Sequence, residues 1–379
     1  MRGRSWNSEA PVETFNSVLR NGAALGLLEN ALASGEVSHA YLFYGPPGVG
    51  KRTVAYRFGA ELVSGGSEHS RDRALRGLHP DLSEIEPEGR FTTIGQVREV
   101  MRLAASRPFE GERRVFVLRA DTLNLQAANA LLKTLEEPEG GAVFILLASS
   151  RDGVLPTIVS RAQAVRFDPV SRGEISSFLL ERGHSGDEAQ LAAALGRGSV
   201  GLALRYAEEA ELRELREAVF EAGFALGGSF EERYGVVEGI VARAEGVGAA
   251  REREYLAAYE ENDGGPDRRA KEAAKRLGRA ARDGAVAEAL ELLTLLYRDA
   301  AVVVAGAPEL VANADRIEEI QDYVRDRGGA DWVGAARVIG EARASLAYNV
   351  SPEAILEVTL SRTWRKIVEI SLPGNSPGS

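Results

Sequence analysis

The stretch HAYLFYGPPGVGK, residues His39 to Lys51, decides the reading of the whole chain. Ala40 to Tyr44 is a short apolar run, rich in aromatics, of the kind that forms a buried strand. It runs straight into a loop with three glycines, and Lys51 opens a helical pattern that continues to about Leu62. Gly45 to Lys51 fits the G-x-x-x-x-G-K part of a P-loop, set between a strand and a helix as that motif requires. In such a loop Gly45, Gly48 and Gly50 let backbone N–H groups converge on phosphate oxygens. Lys51 adds a point charge and the helix N-terminus its dipole. Two readings stay open: a cradle for the phosphates of ATP, or a loop kept only for its strand-to-helix turn.

Upstream, Leu19, Leu25, Leu28 and Leu32 recur at near-helical spacing, and Ser34-Gly35 closes that helix. Downstream, RVFVLRA (Arg114 to Ala120) and AVFILLAS (Ala142 to Ser149) are nearly continuous apolar runs, separated by the helical stretch LQAANALLKTLEE (Leu125 to Glu137). Strands apolar on both faces and joined through helices imply a parallel sheet covered on both sides. AQAVRF (Ala162 to Phe167) reads as a fourth strand. After Asp168-Pro169 the strand signal stops and helical patterns take over. The expected architecture is therefore α/β over residues 1–168, a small helical domain over 169–210 and an all-α domain over 211–379. Breakers at Asn262 to Pro266 and at Gly328-Gly329 mark loops in the last part, and LPGNSPGS reads as a frayed terminus.

At 379 residues, 44% hydrophobic and 27% charged, the chain has the composition of a globular protein of two or three domains. There is no cysteine, which excludes disulfides, thiolate nucleophiles and cysteine-held zinc, and the four histidines are scattered. No metal site is expected. The start MRGRSWNSEAP lacks an apolar segment behind its basic residues, and no run of 18 apolar residues occurs, so no membrane contact and a cytoplasmic location are expected. The formal net charge of −10, from 46 basic and 56 acidic residues, argues against bulk electrostatic binding of nucleic acid. Contact with DNA would have to be local or made through partners.

A P-loop that cleaves a triphosphate places Ser or Thr after the lysine to hold Mg²⁺. Here Arg52 stands there, and Thr53 comes one residue late, about 100° further round the helix. A neighbouring strand should also end in an acidic residue, usually with a second carboxylate to orient water. RVFVLRADTLN offers Leu118 and Arg119 in that place. Asp121 follows three residues after Leu118 and reads as a cap for the next helix. With both metal-handling positions altered, hydrolysis by this chain alone is not expected.

Four segments in order, HAYLFYGPPGVGK, HPD (His79 to Asp81), ANALLKTLEEP (Ala128 to Pro138) and LPTIVSRAQAVRF (Leu155 to Phe167), resemble the AAA+ module of bacterial clamp-loader subunits. The altered nucleotide site makes the delta-prime type of DNA polymerase III a closer likeness than the gamma/tau motor type. The resemblance implies that the helical parts are a lid and a C-terminal collar, and that Trp332, Trp364 and Asn349 to Leu360 serve a terminal helix in an oligomeric collar. Burial within the same chain predicts the same apolar pattern. It also implies a hetero-oligomer with gamma/tau and delta subunits, reaching the sliding clamp and primed DNA through that complex. In this family the pair Ser160-Arg161 would point an arginine at ATP bound by the neighbouring subunit, so Arg161 is the expected catalytic residue in trans.

Two departures from the family pattern stand out. Relatives commonly carry a four-cysteine zinc module where this chain has the cysteine-free SGGSEHSRDRALRGL (Ser64 to Leu78), so no zinc is expected. In the lid, matching GSVG puts Gly201 where a sensor arginine would stand. Arg197 and Arg205 are off register and read as solvated. Ser149 and Ser150 at a strand end could offer a hydroxyl to a phosphate or satisfy local backbone. Arg268, Lys271, Lys275, Arg279 and Arg282 line one helix face, which reads as a solvated surface or a contact for DNA or an acidic partner.

Overall fold

The computed structural model describes residues 22–87, 91–136, 141–225, 230–260, 266–345 and 351–368. Five strands, β1 (Ala40–Tyr44), β2 (Leu82–Ile85), β3 (Arg114–Arg119), β4 (Ala142–Ala148) and β5 (Gln163–Arg166), form one sheet in the order β2-β3-β4-β1-β5. Every pairing is parallel. The α/β class and its parallel sheet are thus as the sequence implies. Alternation of side chains sends Tyr41, Phe43, Val115, Val117, Val143 and Ile145 to one face, where helices α1 (Gly22–Ser34), α2 (Lys51–Ser64) and α3 (Glu68–Leu75) cover them. Leu42, Phe116, Leu118, Phe144 and Leu146 face the other side, beneath α4 (Ile94–Ala104), α5 (Leu125–Glu136) and α6 (Pro156–Val159). Phe144 is fully buried and stacks on Phe116 at 5.5 Å, so Phe144→Ala should cost about 3–5 kcal/mol.

Two details differ from the reading of the sequence. Strand β2 was not expected: LSEI is four residues long and half polar, and as an edge strand only Leu82 is buried. The first helix begins at Gly22 with Leu25, Leu28 and Leu32 buried, while Leu19 lies outside the described residues. The segment expected to be special for lacking cysteines forms α3. Ser67 caps it, Arg71 pairs with Glu61, Arg73 with Glu110 and Arg76 with Asp72. The His79-Pro80-Asp81 motif ties this region to the sheet. Buried Asp81 accepts from the N–H groups of Phe109 (2.7 Å), Glu110 (2.8 Å) and Gly111 (3.0 Å) and from Arg114 Nε (3.3 Å). Arg114, itself buried, spends its other nitrogens on the Leu103 and Arg107 carbonyls and on Ser106 Oγ.

The chain divides between Leu204 and Arg205 into two compact units. In the first, α7 (Arg172–Glu181) and α8 (Gly186–Gly196) follow the sheet, each opened by a capping box, Ser171 with Glu174 and Ser185 with Glu188. Helix α9 (Val200–Glu208) crosses the division. The second unit contains α10 (Ala210–Ala225), α11 (Phe230–Glu260), α12 (Arg268–Val304), α13 (Ile317–Arg325), α14 (Trp332–Ser345) and α15 (Pro352–Val368). Its core is aromatic around Gly223, whose carbonyl accepts from Tyr297 Oη (3.0 Å) and Tyr323 Oη (2.8 Å). Trp332 is buried beside both tyrosines. Helix α15 buries Ile355, Leu356 and Leu360, so Trp332 and much of the terminal apolar pattern are used within this chain. Asn349, the loop residues 262–265 and the tail LPGNSPGS lie outside the described residues.

Candidate functional site: the glycine loop and the far edge of the sheet

The glycine loop leaves β1 at the C-terminal edge of the sheet, wedged between the ends of β4 and β5. Gly45 N–H donates to the Ala148 carbonyl at 3.3 Å. A Cβ on Gly45 would stand 2.0 Å from the Phe167 carbonyl oxygen, so no other residue fits. Gly48 and Gly50 also take positive φ, +75° and +93°, and Gly50 directly precedes α2. Lys51, the first residue of that helix, donates from Nζ to the carbonyls of Gly45 (2.5 Å) and Pro46 (2.6 Å). Burial lowers its pKa to about 8, with Asp121 pulling it up and Arg119 pushing it down.

Arg52, in the place of the metal-binding hydroxyl, turns to β2. It forms an ion pair with Glu84, and its Nε donates to Glu84 Oε2 at 2.9 Å. Tyr56 Oη donates to the same oxygen at 2.6 Å. Burial, and then the Glu84 hydrogen bond and charge, raise Tyr56 to about 12. Thr53 is exposed and lines the same cavity.

Asp121 does not cap the following helix. Asn124 does, its Oδ1 accepting the Ala127 N–H at 2.8 Å. The Asp121 carboxylate instead joins the ends of β3 and β4. Its Oδ2 accepts from Ser149 N–H (3.1 Å) and Ser149 Oγ (2.9 Å), and its Oδ1 from Arg119 Nε (3.2 Å). Burial opposes its ionisation, but Ser149 and Arg119 outweigh that and hold its pKa below the usual value. Ser150 Oγ accepts the Gly153 N–H at 3.2 Å, a local role.

Around the loop lies a cavity of about 530 Å³ lined by Lys51, Arg57, Arg119 and Arg182 among its cations and by Glu84 and Asp121 as its carboxylates. Arg182, the residue that ends α7, stands over the ring of Phe178 from that helix at 4.3 Å. These two residues, Arg57 and Glu84 were not singled out from the sequence, where nothing in their spacing ties them to the loop. From the lid side, Gly201 N–H donates to the Gly48 carbonyl at 3.1 Å, and a Cβ on Gly48 would stand 1.9 Å from Ser199 Oγ. Arg197 takes a left-handed conformation at the end of α8 and is partly buried. Arg205 is not simply solvated: it pairs with Glu209 at 2.9 Å.

As a phosphate cradle the loop retains its glycine geometry, its lysine and a cationic lining. For Mg²⁺ the fit is poor, because the hydroxyl position is an arginine and each lining carboxylate is already held by one.

Arg161 lies elsewhere. In the parallel register Gln163 sits level with Tyr41, at the start of β1, whereas the glycine loop leaves from Tyr44. Arg161, two residues before Gln163, is therefore at the opposite edge of the sheet from Lys51. It is a third exposed, pairs with Glu136 at the end of α5, and donates to the Thr157 carbonyl (3.0 Å) and Ser160 Oγ (3.2 Å).

Residues 21–171 match the family model described as DNA polymerase III, delta subunit. The chain is 30% identical over 203 residues to the DNA polymerase III subunit delta' of Bacillus subtilis, covering 52% of this chain and 61% of that protein. To the subunit delta' of Pseudomonas aeruginosa it is 38% identical over 135 residues, covering 33% and 41%. To the subunit gamma of Buchnera aphidicola subsp. Acyrthosiphon pisum it is 29% identical over 174 residues, covering 44% and 48%. The chain thus spans between two fifths and about three fifths of the length of these relatives. Among the described residues no helix is long and apolar enough to cross a membrane. The glycine loop, the HPD motif and the Ser160-Arg161 pair all lie inside the matched span, so the likeness of residues 21–171 to these DNA polymerase III subunits takes in each of them.

Proposed function

We propose that this chain is a delta-prime-like subunit of the DNA polymerase III clamp loader, a stator that does not itself hydrolyse ATP. Its module over 1–168 is followed by a lid over 169–210 and a collar over 211–379. It works in the cytoplasm, assembled with gamma/tau and delta subunits, and helps place the sliding clamp on primed DNA through that complex. Arg161 is lent in trans to ATP held by a neighbouring subunit, where a cation stabilises charge on the transferred phosphoryl group.

The observation that carries this reading is the fate of the two carboxylates facing the glycine loop. Glu84 is taken by Arg52 and Tyr56, and Asp121 by Arg119 and Ser149. Neither is left to complete a metal shell. The position of Arg161, at the sheet edge away from Lys51, supports action on a second subunit rather than on its own loop.

The test is ATP turnover by the purified chain and by the complex reconstituted with gamma/tau and delta. We expect no turnover beyond background alone. In the complex, Arg161→Ala should leave assembly intact and slow turnover by roughly 10³-fold or more. Turnover by the isolated chain that disappears in Lys51→Ala would instead support the second reading, a gamma/tau-like motor that uses Thr53 and Asp121 in shifted roles. Unchanged turnover in the Arg161→Ala complex would remove the trans role.

A further inference from the structure

We propose that the outer half of α12 carries a binding face for the phosphodiester backbone of a nucleic acid, separate from the glycine loop and independent of the reading above. Between Arg268 and Asp283 the sequence holds seven cations and two carboxylates, in a chain whose formal net charge is −10. Charge of that sign is concentrated here against the trend of the rest of the molecule.

The helix displays these cations in order. Arg268, Lys271, Lys275, Arg279 and Arg282 fall within an arc of about 80°, at 100° per residue, on the side left open by packing. Ala270, Ala274 and Gly278 occupy the seam against the rest of the unit. Helix α11 crosses that seam at backbone contact: a Cβ on Gly248 would lie 2.7 Å from the Gly278 carbonyl, and a Cβ on Gly278 would lie 2.9 Å from that of Gly248. Because two glycines meet there, the two helix backbones approach closely beside the basic face. Among the described residues the carboxylates beside it are few, and Asp267 is engaged as the cap of the helix, accepting the Ala270 N–H. Glu272 pairs with Arg268 at 3.0 Å and Asp283 with Arg282 at 2.9 Å, and Glu252 of α11 approaches Gly278. Lys271 and Lys275 are exposed and form no ion pair with a described carboxylate, and Arg279 reaches only the Lys275 carbonyl, at 3.5 Å.

Two features favour a polyanion over an acidic protein surface. The exposed arc holds no large apolar residue, whereas a protein interface needs a buried apolar centre and is depleted in lysine. The cations also repeat every three or four residues, about 4.5–6 Å along the axis, which suits a ligand of closely and regularly spaced charge. The first turn of α12 adds nothing in this sense, since the Asp267 carboxylate caps it and accepts the Ala270 N–H at 2.7 Å.

The test is fluorescence anisotropy of the full chain with a short labelled duplex DNA and, separately, a single strand of the same sequence, over a salt series. We expect saturable binding at low salt that weakens as salt rises, and at least tenfold weaker binding in the triple variant Lys271→Gln, Lys275→Gln, Arg279→Gln. The slope of log K against log salt should fall by about 0.9 per lost duplex contact or about 0.7 per lost single-strand contact, which separates the two sources of phosphodiester. Arg102→Gln, in the first unit, should leave binding unchanged. If the triple variant loses helicity, Lys275→Gln alone carries the comparison, with at least twofold weakening expected. The proposal is overturned if the wild-type chain does not bind at low salt, if the substituted chain binds as the wild type does, or if polyglutamate displaces DNA at equal charge concentration. The last result would point to an acidic protein partner.

Discussion

The Gly48 carbonyl accepts the Gly201 N–H at 3.1 Å, so the tip of the glycine loop and the first turn of α9 are joined backbone to backbone. The join works only because Gly48 has no side chain. At φ +75° it is in the left-handed region, and a Cβ would meet Ser199 Oγ at 1.9 Å. Gly48→Ala should therefore destabilise the first unit by about 1–3 kcal/mol, read from denaturant unfolding. Adding Ser199→Gly should recover the steric part and leave the backbone part. An unchanged midpoint in Gly48→Ala would show that the contact is not made in solution.

Asp81 and Arg114 form a buried pair, and removing one member leaves the other uncompensated. Asp81→Asn should cost about 3–5 kcal/mol. Burial raises the Asp81 pKa, but the three backbone N–H groups and Arg114 outweigh it, and the folded value lies below that of an ordinary carboxyl. The stabilisation is complete above the unfolded pKa of about 3.9 and is lost as pH falls through the folded value. Acid unfolding followed by circular dichroism should be less steep below about pH 4 in Asp81→Asn than in the wild type. Equal slopes would contradict the assignment.

Lys51 has a folded pKa of about 8, below its unfolded value of about 10.4. Between those limits the unfolded chain binds more protons, so the contribution of this group to stability rises as pH increases through the window. Nuclear magnetic resonance of labelled lysine should find one ammonium titrating near pH 8. Asp121→Asn should lower that value further, because Asp121 is the group that raises it. A Lys51 midpoint near 10 would show that its burial is not maintained.

Asn124, not Asp121, caps α5. Asn124→Ala should cost about 1 kcal/mol in thermal or denaturant unfolding. Asp121→Ala should act differently, loosening the tie between the ends of β3 and β4, with faster hydrogen exchange at the Ser149 amide. If Asn124→Ala were neutral, the cap would be without energetic weight.

What could be read from the sequence was what is local. The glycine loop, its strand and its helix are consecutive, and three runs with both faces apolar announce a parallel sheet before any contact is known. Strand β2 escaped because LSEI is short and half polar, with one buried side chain at a sheet edge. Asp121 and Asn124 stand three residues apart, and either could cap α5. The choice is made by Ser149, 28 residues after Asp121 and brought beside it only when β3 pairs with β4. Glu84 is hidden for the same reason, since its partner Arg52 lies 32 residues earlier. Arg161 was conspicuous in its segment, yet its bond to Glu136 spans 25 residues and leaves no local trace.

Lys51 and Arg161 occupy opposite rims of one five-stranded sheet, a separation fixed by the direction in which β1 and β5 both run. A body built this way has a front and a back. Under the proposed role it could join like modules only in single file, rim to opposite rim, and never through a two-fold axis that sets like against like. Under that same role, a link that offers its back, and whose front carboxylates are already engaged by Arg52 and Arg119, suits one end of such a file.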